Sequence, residues 1–233
     1  MKLLIFYLFI IGKLILYSLN PFNVYIIQLL CLLIAYFIFK KSHATSDKPM
    51  KIDTYIIYIL FLSLIFIFLY NILVHCLFSG VYTDFRESQY TNLDYFKLIL
   101  LFPVFEELIY RKYLLQYLMT KYTDKKAIIY LSIGFAISHC FTDTGLLLVF
   151  LYSLFISFVY IKTRNIYICI LSHSISNFMA VVFLPKFMML IQQNNSMPNI
   201  LITILLLFIM LFSLKKITSF DYKSAPPKAT SIG

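Results

Sequence analysis

The sequence predicts an all-α fold: a polytopic bundle of about eight transmembrane helices with both termini on the cytoplasmic side. Three observations carry that expectation. Of the 233 residues, 61% are hydrophobic and 13% charged, more apolar than a water-soluble domain. The apolar residues gather into runs close to the ~20 residues a helix needs to cross a bilayer. The basic residues fall unevenly among the polar stretches between those runs, as the positive-inside rule requires.

The runs cover roughly residues 3–18, 22–39, 54–79, 95–119, 127–142, 145–161, 166–183 and 199–214. The first follows Lys2 as the core of a signal peptide would, but no small-residue cleavage site precedes Asn20-Pro21, so it reads as a retained helix. With the second run, which stops at Lys40-Lys41, it could form a hairpin that only partly crosses. The third run follows the polar stretch KKSHATSDKPMKID, and the fourth follows VYTDFRESQYTNLD. Runs five and six sit on either side of Asp143, run seven follows Lys162 and Arg164, and run eight ends at Lys215-Lys216.

With a cytoplasmic N-terminus, Lys2, Lys40, Lys41, Lys48, Lys51, Lys121, Lys125, Lys126, Lys162, Arg164, Lys215, Lys216, Lys223 and Lys228 share one side. Only Arg86 and Lys186 occupy the opposite loops, and Lys13, Lys97, Arg111 and Lys112 lie within runs. An odd number of spans would break this pattern. The net charge of +10 is therefore read as topology and not as a nucleic-acid surface. Cys31, Cys76, Cys140 and Cys169 lie in or beside apolar runs without CxxC spacing and read as packing residues. Four regions follow: N-terminal helices and loops (1–94), a four-helix core (95–183), a loop with the last helix (184–214) and a disordered tail (215–233), rich in Pro, Ser and Ala.

Ten acidic residues occur, and only Glu106 and Glu107 fall inside an apolar run. A charge near the bilayer centre costs at least ~2.5–3.5 kcal/mol, so such residues default to a functional hypothesis. Glu107 and Arg111 stand four apart with the acid first, the favoured order for a helical ion pair. Glu106 points about 100° away and is left for chemistry. Pro103, just upstream, removes a backbone N–H and loosens the helix. His139 closes FAISH, one turn after Phe135, and His173 opens HSISN, one turn before Asn177. Counted from the cytoplasmic helix ends at about 1.5 Å per residue, Glu106, His139, His173 and Asn177 lie about 20, 18, 11 and 17 Å deep. Three helices thus bring four polar groups toward one layer.

A carboxylate and imidazoles at one point suit activation of water, the acid or imidazole serving as base and then as proton donor. Asn177 and His173 could donate to an oxyanion. Glu106, His139 and His173 could alternatively bind zinc with an open position, although HExxH spacing is missing.

EELIYR fits EExxxR, FAISH fits FxxxH and HSISN fits HxxxN, in that order and in separate helices. Together they resemble the CPBP (Abi) family of intramembrane peptidases, which includes type II CAAX prenyl endopeptidases and proteins of bacteriocin processing and immunity. The resemblance covers about Lys97 to Met179. It implies that Glu106 and His139 activate water, that His173 and Asn177 stabilise the transition state, and that Glu107, Arg111 and Phe135 support them. It implies a peptidase acting on a membrane-associated peptide or protein substrate, with the lipid bilayer as surroundings and no nucleic-acid partner; the motifs do not settle metal dependence, a glutamate mechanism with no required cofactor being favoured and zinc the alternative. The many Ile, Lys, Asn and Tyr residues and the absent Trp suggest AT-rich coding DNA, hence a bacterial plasma membrane and a role in peptide maturation or self-immunity. Two other classes were weighed. A non-catalytic scaffold or immunity protein would tolerate Glu106→Gln. A proton-coupled transporter would show internal repeats, and the sequence has none.

Overall fold

The computed structural model describes residues 2–19, 24–39, 54–77, 90–141 and 145–186, with isolated helical positions at 205, 208, 209, 211, 212 and 215. The loop 40–53, most of the stretch 81–94, most of the eighth run and the tail after residue 215 lie outside the described residues. Every regular element among the described residues is helical, and none is a strand.

The first three runs are α1 (Lys2–Leu19), α2 (Val24–Phe39) and α3 (Thr54–Leu77). The fourth is one long helix from residue 92 to 119. It comprises α4 (Asn92–Phe96), a π-helical segment Lys97–Leu101, α5 (Phe102–Glu107), a second π-helical segment Leu108–Leu115, and α6 (Gln116–Met119). Then come α7 (Asp124–Ile137), α8 (Leu146–Thr163) and α9 (Ile166–Phe178), the last continuing through a π-helical segment Met179–Phe183. Among the described residues two helices, Leu146–Thr163 and Ile166–Lys186, are long and apolar enough to cross a membrane, and Leu4–Ser18, Ile26–Phe39 and Ile56–Leu69 form shorter apolar helices.

Local chemistry explains the ends. Thr91 caps the long helix: its hydroxyl accepts the Asp94 N–H at 3.2 Å, and the Asp94 carboxylate accepts the Thr91 N–H at 3.2 Å, a reciprocal capping box. At the α8–α9 junction, Arg164 adopts a left-handed conformation with φ 50°. Its N–H donates to the Tyr160 carbonyl at 2.8 Å and closes α8. Asn165 then opens α9, its side-chain oxygen accepting the N–H groups of Tyr167 (2.9 Å) and Ile168 (3.2 Å).

Pro103 accounts for the first π-helical segment. In that segment the Phe102 N–H reaches back five residues to the Lys97 carbonyl. The next bond in the same series would run from residue 103 to the Leu98 carbonyl, and proline has no N–H to give. One carbonyl of the long helix is therefore left for an outside donor.

The helices pack as neighbours α7 on α8, α3 on α9 and α2 along the second π-helical segment. α1 approaches α7 at Gly134, where a Cβ would lie 2.6 Å from Phe6 Cζ, so only glycine admits the Phe6 ring. α1 buries Phe6, Ile10 and Lys13 and turns Leu4, Leu8, Ile11 and Ile15 outward. An outer face of large aliphatic side chains suits lipid as solvent.

Candidate active site

Glu107 and Arg111 are both fully buried, one turn apart. Arg111 Nη1 donates to Glu107 Oε1 at 3.0 Å, the pairing expected from the spacing. The other end of the guanidinium, Nη2, donates to Ser153 Oγ on α8 at 3.0 Å. Its face lies over the Phe135 ring, 4.7 Å from the centroid. Phe135 thereby links the ion pair to both histidines, with ring centroids 4.6 Å from His139 and 6.4 Å from His173.

The two imidazoles are oriented in the same way by different acceptors. His139 Nδ1 lies 2.8 Å from the Phe135 carbonyl oxygen, which can only accept, so Nδ1 carries the proton. His173 Nδ1 lies 2.8 Å from Glu107 Oε1, and a carboxylate likewise requires Nδ1–H. Each ring then turns Nε2 toward Glu106: His139 Nε2 stands 3.8 Å from Oε1, and His173 Nε2 stands 3.9 Å from Oε2. In the neutral rings both Nε2 atoms present lone pairs to the carboxylate. Glu106 itself is 8% exposed.

Three of the four residues proposed for chemistry, Glu106, His139 and His173, are thus brought together. The fourth, Asn177, lies one turn below His173 on α9, and its Nδ2 donates to the Leu98 carbonyl at 2.8 Å. This is the carbonyl that Pro103 leaves without a donor. One N–H of Asn177 is committed to holding α9 against the long helix, and its amide carries a second. Glu107 does more than the spacing suggested, since the oxygen that pairs with Arg111 also fixes the tautomer of His173.

Sequence reasoning missed two residues of the N-terminal helices. Gln28 on α2 is buried and its Nε2 lies 3.4 Å from Glu106 Oε1, across 78 residues of sequence. Lys13 on α1 is 2% exposed. Its Nζ donates to the Tyr110 hydroxyl at 3.2 Å and lies 4.9 Å from the centroid of that ring. Their only local signal is a polar residue inside an apolar helix.

The zinc alternative has a geometric test. Tetrahedral zinc holds nitrogen and oxygen donors at about 2.0–2.2 Å, hence about 3.3–3.5 Å from one another. The 3.8 and 3.9 Å separations around Glu106 are wider, and among the described residues no group of three or more His, Cys, Asp or Glu is placed to hold a metal ion. Binding zinc here would require the trio to draw closer together.

Residues 89–179 match the family model described as type II CAAX prenyl endopeptidase Rce1-like. The match spans the long helix, α7, α8 and α9 and takes in every motif residue named above. It agrees with the resemblance carried by EExxxR, FxxxH and HxxxN. No match was found among the curated proteins or the solved structures.

Proposed function

We propose that the chain is an intramembrane endopeptidase that uses Glu106 and His139 to activate water against a peptide bond of a membrane-associated peptide or protein. One observation carries the reading: two imidazoles, one from the turn that follows α7 and one from α9, each with Nδ1–H held by a fixed acceptor, turn Nε2 onto the same buried carboxylate. Separations of 3.8 and 3.9 Å are too long for direct hydrogen bonds, while a water within ordinary bonding distance of both Glu106 and His139 fits such a gap.

In the reaction, Glu106 takes a proton as the water oxygen forms a bond to the carbonyl carbon. The electrons of the C=O π bond move to its oxygen. The second N–H of Asn177, and Nε2–H of His173 when that ring is protonated, stabilise the oxyanion. Glu107 accepts from His173 Nδ1 and is itself paired with Arg111. Collapse breaks the C–N bond, and the amine nitrogen receives the proton from Glu106.

The matched family's name points to prenylated CAAX termini as one substrate class. The AT-rich residue usage favours peptide maturation or bacteriocin self-immunity in a bacterial plasma membrane. The proposed topology has eight spans with both termini cytoplasmic and the site opening to the cytoplasmic half of the bilayer.

The test compares peptides and protein termini from cells making wild type, Glu106→Gln or Glu107→Gln at equal membrane abundance. A cleavage product present with wild type and absent with Glu106→Gln supports the peptidase and names its substrate. Identical profiles, with any phenotype retained, would overturn it in favour of a binding protein.

A further inference from the structure

The catalytic motifs all lie within residues 89–179, yet the carboxylate they present is also contacted from outside that stretch. Gln28, on α2, donates Nε2–H to Glu106 Oε1 at 3.4 Å. The assignment of its amide follows from charge, because the reversed amide would place two oxygens against each other. Gln28 is 2% exposed, and its Oε1 has no hydrogen-bond partner. A buried acceptor left unmatched is destabilising. A methionine or leucine would continue the helix as well.

Resting on the peptidase reading, we infer that Gln28 is a positioning residue for the reaction: its amide N–H holds Glu106 Oε1 in place while the carboxylate takes the proton of the attacking water. Lys13 is a second buried polar residue from the same pair of N-terminal helices, and it donates to the Tyr110 hydroxyl on the long helix that carries Glu106. α1 and α2 therefore furnish part of the site and do more than anchor it.

Gln28→Met and Gln28→Leu separate this role from a structural one. Both remove an unmatched buried acceptor, so the melting temperature of the detergent-solubilised full chain should stay within a few degrees of wild type or rise. The wild-type-specific cleavage product should meanwhile fall at least tenfold at equal membrane abundance, as with Glu106→Gln. A wild-type amount of product from Gln28→Met, with Glu106→Gln inactive, sinks this inference and leaves the peptidase standing. Strong destabilisation by both variants, with product falling only in proportion to folded protein, also overturns it by showing a packing role. Absence of any wild-type-specific product removes the peptidase reading and this inference together.

Discussion

Replacing Arg111 by methionine tests whether the ion pair beside the site is as desolvated as its geometry says. Arg111 and Glu107 are both fully buried, their bond is 3.0 Å, and the guanidinium also serves Ser153 Oγ at 3.0 Å. Methionine keeps much of the volume and the packing against Phe135 but strands the Glu107 carboxylate, whose remaining donor would be His173 Nδ1. Breaking a buried pair by removing one partner costs about 3–5 kcal/mol. For a chain of this size 1 kcal/mol corresponds to about 2–4 °C, so the melting temperature should drop by roughly 6–20 °C. The assay is thermal unfolding of purified protein in mild detergent, followed by tryptophan-free signals such as far-ultraviolet circular dichroism. The double variant Glu107→Gln/Arg111→Met, with no stranded charge, should recover part of the loss. A drop under 2 °C for Arg111→Met, or a double variant no better than the single, would refute the argument that the charges are held out of solvent.

Asn177→Ala should destabilise by about 1–2 kcal/mol because the Leu98 carbonyl loses its donor. The loss should shrink in a Pro103→Ala background, where a backbone N–H returns, and equal losses in both would contradict the pairing. Gly134→Ala forces a Cβ to within 2.6 Å of Phe6 Cζ, and overpacking of this kind costs about 1–3 kcal/mol, more than the helix gains from alanine. A lowered melting temperature that Phe6→Leu restores is expected, and a rise would be inconsistent with contact between α1 and α7. At Asp94, hydrogen bonds from the Thr91 hydroxyl and then from its backbone N–H hold the carboxyl below the ordinary aspartate range. A depressed carboxyl contributes stability above its unfolded value, near 3.9, and loses it as pH falls through the lower folded value. The stability gap between wild type and Asp94→Asn should therefore be open at pH 6 and close below about pH 4; a gap that widens in acid would contradict the sign. Finally, cleavage should persist after EDTA treatment and dialysis, and loss of activity restored by zinc would require the trio around Glu106 to close on a metal.

The helices were legible because apolar runs and basic punctuation are properties of composition along the chain. The seven runs that fall among the described residues are each helical over most of their length, but the fifth, expected to reach residue 142, ends at Ile137 and leaves His139 in the turn after α7. The Glu107–Arg111 pair was legible for a related reason, since an i to i+4 contact needs only the helix. The convergence of Glu106, His139 and His173 could be read from depth along three helices. Rotation about each helix axis could not, so the bond from one Asn177 N–H to the Leu98 carbonyl was not legible. The sequence did show that Pro103 would free a carbonyl, but not which donor would answer it. Gln28 and Lys13 were invisible as partners of the site because their contacts span 78 and 97 residues and follow no local period.

The answer to Pro103 comes from a residue 79 positions away. At ribosomal rates of about 5–20 residues per second, the Leu98 carbonyl waits about 4–16 s for Asn177 to be synthesised. His173, which faces Glu106, emerges on the same turn-and-a-half of helix as that donor. The hydrogen bond onto the Leu98 carbonyl and the second imidazole facing Glu106 are therefore supplied by one short stretch of α9, made after Glu106, Glu107, Arg111 and His139 are already in the chain.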